Sequence, residues 1–174
     1  GDTLTELVNT PLVWKKIVGM QMLVEGLAMG AFATFYKASR DPLMVQLMQL
    51  VMTDEAFHHK FGKIWADRTI PNISPVERDA IEDWAWHIFE VLLYNLGSPE
   101  QKKHIYAAVG LDWQWVQGAF MEALTDAAIR EEMQESTNIF RVLIKTLLKA
   151  GIITSRTSGN YAAFIDMKEL YMEG

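Results

Sequence analysis

Glu25 is the acidic residue in this sequence that most needs a chemical explanation. It is the only charged residue between Ile17 and Tyr36. At helical spacing, the residues that share its face are apolar: Val18, Met22, Met29 and Phe32. An ionised carboxylate in such surroundings needs a cation, a metal ion or several hydrogen bonds, or else it keeps its proton.

A Glu-x-x-His motif in the next apolar helical stretch supplies a partner for Glu25. Glu55 and His58 are three residues apart, so a helix places them on one face, which also carries Met48, Met52 and Gly62. One Glu from a helix and a Glu-x-x-His from its neighbour make half of the donor set of a carboxylate-bridged two-metal site. The pattern favours metal ligation by Glu25, Glu55 and His58. The alternative is a structural ion pair between Glu25 and His58.

Helix start signals recur along the chain and predict the elements that position these residues. Thr10-Pro11, Asp41-Pro42, Ser74-Pro75 and Ser98-Pro99 each place proline at a first helical turn. Helices are therefore predicted over about 11–38, 42–67, 75–96, 99–110, 112–150 and 161–172, with a weak point at Ser136-Thr137-Asn138. Because no stretch alternates with a period of two for long, the predicted fold class is all-α.

Composition indicates one folded domain over residues 1–174. Half of the residues are hydrophobic, the net charge is −6 and there is no cysteine. These values exclude a disulfide scaffold and a thiolate metal site, and the scattered basic residues argue against nucleic-acid binding. The run from Ile17 to Tyr36 is long enough to span a bilayer, but Glu25 at its middle favours a buried core helix. No signal peptide is recognised, and a cytoplasmic protein without a membrane partner is expected.

Two sequence strings resemble those of a known superfamily. They are Val24-Glu25-Gly26-Leu27 with Gly30-Ala31-Phe32-Ala33, and Asp54-Glu55-Ala56-Phe57-His58-His59-Lys60-Phe61-Gly62. Together they resemble the ferritin-like superfamily, in particular members related to ribonucleotide reductase small subunits, ligand-binding oxidases and amine oxygenases. The resemblance covers about residues 17–66 and implies a ferritin-like bundle of long antiparallel helices. It implies metal ligands at Glu25, Glu55 and His58, with Asp54 hydrogen-bonded to a ligating histidine.

The resemblance is to the second half of such a bundle, whose first half carries another Glu and another Glu-x-x-His. Three explanations of the missing ligands are open. The chain is the C-terminal part of a longer protein, or two copies donate ligands across a two-fold axis, or the site holds one metal or none.

Other polar and aromatic residues are weaker candidates. His87 and Glu90 lie on a predicted solvated face with Asp79, Asp83 and Tyr94, and His59 is expected at the surface or an interface. Glu122 is expected to be partly buried, and an acidic cluster is expected to face water: Glu131, Glu132 and Glu135. Core or interface packing is expected for Trp84, Trp86, Trp113 and Trp115.

The function expected from these features is that of an oxygen-activating oxidoreductase with two iron ions, or iron with manganese. Its small-molecule substrate would meet an apolar lining of Met22, Met29, Phe32 and Met52. The alternatives are a non-enzymatic metal-binding or storage bundle, and a structural helical domain. A homodimer is expected, because long Trp-rich helices offer more apolar surface than a single layer covers.

Overall fold

The computed structural model describes residues 2–123, 125, 127–128, 131 and 138–172, and within these residues there are helices and no strand. The all-α prediction is confirmed. The helices are α1 (Asp2–Asn9), α2 (Val13–Lys16), a π-helix (Ile17–Val24), α3 (Glu25–Ala38), α4 (Pro42–Thr69), α5 (Pro75–Gly97), α6 (Lys103–Ala108), α7 (Trp113–Ala123), α8 (Ile139–Lys149), α9 (Ser158–Tyr161) and α10 (Met167–Met172). Short 3₁₀ turns occur at Ile70–Asn72 and Glu100–Lys102.

Two of the four proline-based helix starts form as the sequence predicts, those at Pro42 and Pro75. The helix expected from Pro11 begins at Val13 instead, and Pro99 precedes a 3₁₀ turn. The Asp41 carboxylate accepts a hydrogen bond from the Leu43 backbone N–H at 2.8 Å, which caps α4. Ser74 and Glu77 form a reciprocal capping box at the start of α5. These local contacts satisfy backbone donors that have no partner within their own helix.

The core lies around the π-helix. Val18, Met22 and Leu23 of this segment are almost fully buried, and they belong to one cluster with residues of α5 and α8: Ile81, Ala85, Ile88, Phe89, Leu143, Ile144 and Leu147. Gly19 makes this close packing possible, because a Cβ there would collide with the Trp84 ring and the Leu7 side chain. The most apolar part of the sequence is thus the centre of the bundle.

Helices α3 and α4 pack antiparallel. A Cβ added to Gly62 would lie 2.8 Å from Met22 Cγ, and one added to Gly26 would lie 3.5 Å from His59. Position 62 therefore lies opposite position 22, and position 59 lies opposite position 26, which is the order of two antiparallel neighbours. Gly62 lets the two segments approach closely, because a Cβ at this position would crowd Met22.

The structure also differs from the predicted helices over 112–150, over 161–172 and near the N-terminus. The helix expected over 112–150 is interrupted, because α7 ends at Ala123 and Asn138 has extended backbone angles and caps α8 through its side chain. The expected weak point at Ser136-Thr137 lies outside the described residues. The closing helix is two short pieces, α9 and α10, and the N-terminal helix α1 was not anticipated.

By length and composition, one helix within the described part of the chain is long enough and apolar enough to cross a membrane: Val13–Ala38. Its π segment is buried against α4, α5 and α8, whereas Phe35 and Tyr36 near its end are exposed. Within its most apolar 18-residue window, 33% of this helix is buried in the structure.

Candidate metal centre

Glu25, Glu55 and His58 meet at one point between α3 and α4. Each offers one potential ligand atom, and these atoms lie within 4.8 Å of one another. His58 Nδ1 is 3.5 Å from Glu25 Oε2 and 3.5 Å from Glu55 Oε2, so the ring nitrogen is equally near to both carboxylates. The geometry therefore brings together the three residues that the sequence pattern singled out.

The facing carboxylate oxygens have no hydrogen-bond donor. Glu25 Oε2 and Glu55 Oε2 are both buried, and within the described residues neither accepts a hydrogen bond. Buried carboxylate oxygens without a donor are costly unless a cation or a proton offsets them. Two such oxygens, each 3.5 Å from the same imidazole nitrogen, form a cluster of donor atoms that suits a cation.

A hydrogen bond from Gln21 holds the other oxygen of Glu25. The Gln21 side-chain amide donates to Glu25 Oε1 at 3.1 Å. This bond occupies Oε1 and leaves Oε2 facing His58 and Glu55. Sequence analysis did not assign Gln21 a role, although a lone amide four residues before a buried carboxylate was a usable signal.

The environment of Glu25 favours its neutral form. Desolvation raises the pKa of Glu25 above its usual value, and the nearby Glu55 carboxylate raises it further, whereas His58 and the Gln21 hydrogen bond lower it. A carboxyl group in this state binds a proton or a metal ion in preference to remaining a free anion. The raised pKa of Glu25 and the lack of a hydrogen-bond donor to its Oε2 therefore favour the same interpretation, a site that holds a proton or a cation.

The site is closed on one side and open on the other. The exposed fraction of the side chain is 12% for Glu25, 21% for Glu55 and 56% for His58. Solvent therefore reaches the imidazole, while the carboxylates lie deeper between the helices. A metal ion or a small ligand would reach the site from the His58 side.

The π-helix ends where the site begins. Its last residue is Val24, and Glu25 opens α3. A π-helix has more residues per turn than an α-helix, so it changes the directions in which the residues before and after it point. The wide turn here buries Met22 and Leu23 in the core, and it also directs Gln21 and Glu25 towards α4.

His59 is not part of the triad and lies where α4 packs against α3. It lies against Gly26, with its ring 3.5 Å from the place of a Cβ, and it is half-buried rather than at the surface. Desolvation lowers the pKa of His59, and the backbone of Gln21 opposes this effect. His59 thus packs beneath the site and forms part of the contact between α4 and the π-helix.

Asp54 does not contact the site histidine. It is exposed on α4, and among the residues that the structure describes no hydrogen bond joins it to His58 or His59. The orienting role implied for Asp54 by the family resemblance has no support in this geometry. Residue 54 lies instead on the outer face of α4.

Most of the other polar and aromatic candidate residues lie at the surface of the described structure. His87 and Glu90 are exposed, together with Asp79, Asp83 and Tyr94, as the solvated-face prediction states. Glu122 is exposed, so its expected partial burial is wrong, and Trp115 is exposed and therefore not part of the core. Trp84 is buried, Trp86 and Trp113 are partly buried, and Glu131 is exposed; Glu132 and Glu135 lie outside the described residues.

A second buried carboxylate, Glu82, was missed by sequence analysis and has a structural explanation. Its Oε2 accepts hydrogen bonds from the hydroxyls of Thr154 at 3.0 Å and Thr157 at 2.9 Å, and Arg156 Nε lies 3.4 Å away. Every charge in this group has a counterpart. Glu82 therefore attaches the 154–157 segment to α5 through the contacts of its Oε2.

No protein-family model, curated protein or solved structure matches this chain. The functional argument therefore rests on the triad itself. Two carboxylates and one imidazole are an all-oxygen and nitrogen donor set, which suits iron, manganese and zinc. Within the described residues, Glu25, Glu55 and His58 are the one group of acidic and histidine side chains close enough together to share an ion.

Proposed function

We propose that this protein binds iron, or iron with manganese, through Glu25, Glu55 and His58 and acts as an oxygen-activating oxidoreductase of the ferritin-like type. The observation that carries the proposal is the pair of buried carboxylate oxygens that have no hydrogen-bond donor and that each lie 3.5 Å from His58 Nδ1. A structural ion pair would instead be expected to satisfy these oxygens with directed hydrogen bonds.

The roles of the chain's own residues follow from their positions. Glu25 and Glu55 would ligate or bridge the metal ions, His58 would be a terminal ligand, and Gln21 would hold Glu25 in place. The bound metal would supply the electrons that reduce dioxygen. The closed side of the site excludes water from the carboxylates, and the open His58 side admits a small substrate.

A metal-content measurement tests the ligand set. Protein purified without chelator is analysed for iron, manganese and zinc alongside the Glu55→Ala and Glu90→Ala variants. Both residues are helical glutamates, but only Glu55 lies beside His58, and Glu90 is exposed on α5. The proposal expects metal loss from Glu55→Ala and none from Glu90→Ala. Equal loss from both variants, or metal-free protein after growth with added iron and manganese, would contradict ligation by this triad.

Oxygen consumption then separates the oxidoreductase from a metal store. Iron-loaded protein is mixed with oxygen and a chemical reductant in an oxygen electrode. Catalytic turnover, with more oxygen consumed than iron present, supports the enzyme. A single stoichiometric uptake, followed by retention of ferric iron, supports storage with the same ligands and contradicts the oxidoreductase.

A further inference from the structure

A cleft at which three distant segments of the chain meet is lined by two positively charged side chains. Its walls come from the end of α4 with the turn that follows it, from the start of α5, and from the end of α8 with the residues after it. Arg78 and Lys149 supply the charges, and Ile70 and Pro71 supply apolar surface. The cleft has a volume of about 380 Å³, which is in the range of sites for small organic molecules.

Arg78 is a partly buried cation without a counter-ion. Its Nη2 donates a hydrogen bond to the Ile70 backbone carbonyl at 2.8 Å, which holds the guanidinium against the turn after α4. Within the described residues, its buried Nε has no hydrogen-bond acceptor and the side chain forms no ion pair. Arg78 is also the fourth residue of α5, close to the positive end of that helix, where a cation is unfavourable. An anion beside the guanidinium would offset both costs.

Lys149 brings the second positive charge to the cleft. It is the last residue of α8, it is exposed, and in the part of the chain that the structure describes it has no ion-pair partner. The acidic residue among the described lining residues is Asp67, whose carboxylate already has a partner in Lys63 at 2.6 Å. Arg78 and Lys149 therefore leave the lining with an excess of positive charge.

We propose that this cleft binds a small phosphomonoester, with its phosphate beside Arg78 and Lys149 and its organic group against Ile70 and Pro71. A phosphomonoester carries nearly two negative charges at neutral pH, which matches the two cations without counter-ions. A guanidinium offers directed hydrogen bonds to phosphate oxygens, and a lysine ammonium adds a compact charge. The volume of the cleft leaves room for the organic group beside the phosphate.

The cleft is separate from the candidate metal centre. No residue of the Glu25, Glu55 and His58 triad lines it. Ala66, where the cleft begins on α4, follows His58 by eight residues, which is about 12 Å along the helix axis. The proposal therefore does not depend on metal binding, and it is tested on metal-free protein so that no metal ion competes for the phosphate.

Calorimetric titration of the full chain with phenyl phosphate, after treatment with a chelator, tests the site. We expect a dissociation constant below about 1 mM at about pH 7.5, and weaker binding at about pH 5, where the phosphate carries a single charge. Arg78→Gln should raise the dissociation constant at least about 10-fold. The matched control is Arg40→Gln, which removes the same charge at an exposed position beside the opposite end of α4 and should change the dissociation constant less than about 2-fold.

Three further measurements test the charges and the apolar wall separately. Lys149→Gln should raise the dissociation constant about 3- to 10-fold. Asp67→Asn should lower it by a similar factor, because this change removes a carboxylate from the lining and frees Lys63 from its ion pair. Inorganic phosphate should bind at least about 5-fold more weakly than phenyl phosphate, because it has no apolar group to place against Ile70 and Pro71.

The opposite results would overturn the proposal. Absence of phenyl phosphate binding up to about 10 mM, or equal weakening by Arg78→Gln and Arg40→Gln, would show that the cleft is not an anion site. Equal affinities for phenyl phosphate and inorganic phosphate would overturn the assignment of an organic ligand. Circular dichroism checks the fold of each variant. If Arg78→Gln does not fold, Lys149→Gln decides the question, because Lys149 is exposed and an unchanged affinity in that variant would contradict the site.

Discussion

Replacing Gln21 with leucine tests whether the hydrogen bond to Glu25 prepares the site for a metal ion. Leucine has a similar size but no amide, so the variant removes the 3.1 Å bond to Glu25 Oε1 without opening a large cavity. Two effects follow, and both weaken metal binding. The Glu25 carboxylate loses the group that orients it, and the pKa of Glu25 rises further because the Gln21 contribution that lowers it is gone.

The expected loss of affinity is about 10- to 100-fold, which is typical when the group supporting a metal ligand is removed. This factor corresponds to about 1.4–2.7 kcal/mol. The affinity for Mn²⁺ is measured by calorimetric titration at a series of fixed pH values. Mn²⁺ is used because it does not oxidise during the experiment. If a proton competes with Mn²⁺ for the Glu25 carboxylate, the loss of affinity caused by Gln21→Leu becomes smaller as the pH rises. At high pH the carboxyl group is ionised in both the wild type and the variant.

The matched control is Gln46→Leu, which makes the same chemical change at an exposed position of α4 away from the triad. It should leave the affinity for Mn²⁺ unchanged. Equal affinities of wild type and Gln21→Leu across the pH range would refute the idea that this hydrogen bond positions Glu25. A loss in both variants would show that the measurement reports general destabilisation instead.

Three further predictions concern stability, measured by urea denaturation. The folded metal-free protein holds the Glu25 proton more tightly than the unfolded chain does. Its free energy of unfolding should therefore fall as the pH rises from about 4.5 through the raised pKa of Glu25. Glu25→Gln should make the free energy of unfolding less dependent on pH over this range. Gly62→Val should cost about 1–3 kcal/mol by overpacking, whereas Gly118→Val, in open space, should change stability little; equal effects would contradict the close helix contact. Thr157→Val should cost about 1–3 kcal/mol by removing a donor from buried Glu82, and a change below about 0.5 kcal/mol would count against that bond.

The features that sequence analysis predicted correctly are those encoded by neighbouring residues. The α4 and α5 starts depend on Asp41-Pro42 and on the Ser74 to Glu77 capping box, whose atoms lie within a few residues of one another. The pairing of Glu55 with His58 follows from the helical repeat alone. Glu25 could be identified from the sequence because it is a lone charge in an apolar helix. Wherever such a helix packs, the buried carboxylate needs a cation, a proton or hydrogen-bond donors beside it.

Only the tertiary structure decided the features that depend on packing between distant segments. The π-helix over Ile17–Val24 has no local sequence signature, and it forms where the core of α5 and α8 buries Val18, Met22 and Leu23. The half-burial of His59 against Gly26 likewise depends on a neighbouring helix. The helical repeat placed Glu25 and Glu55 on inward faces, but the contact of α3 with α4 determined that their free oxygens meet at His58, because only packing sets distances between helices.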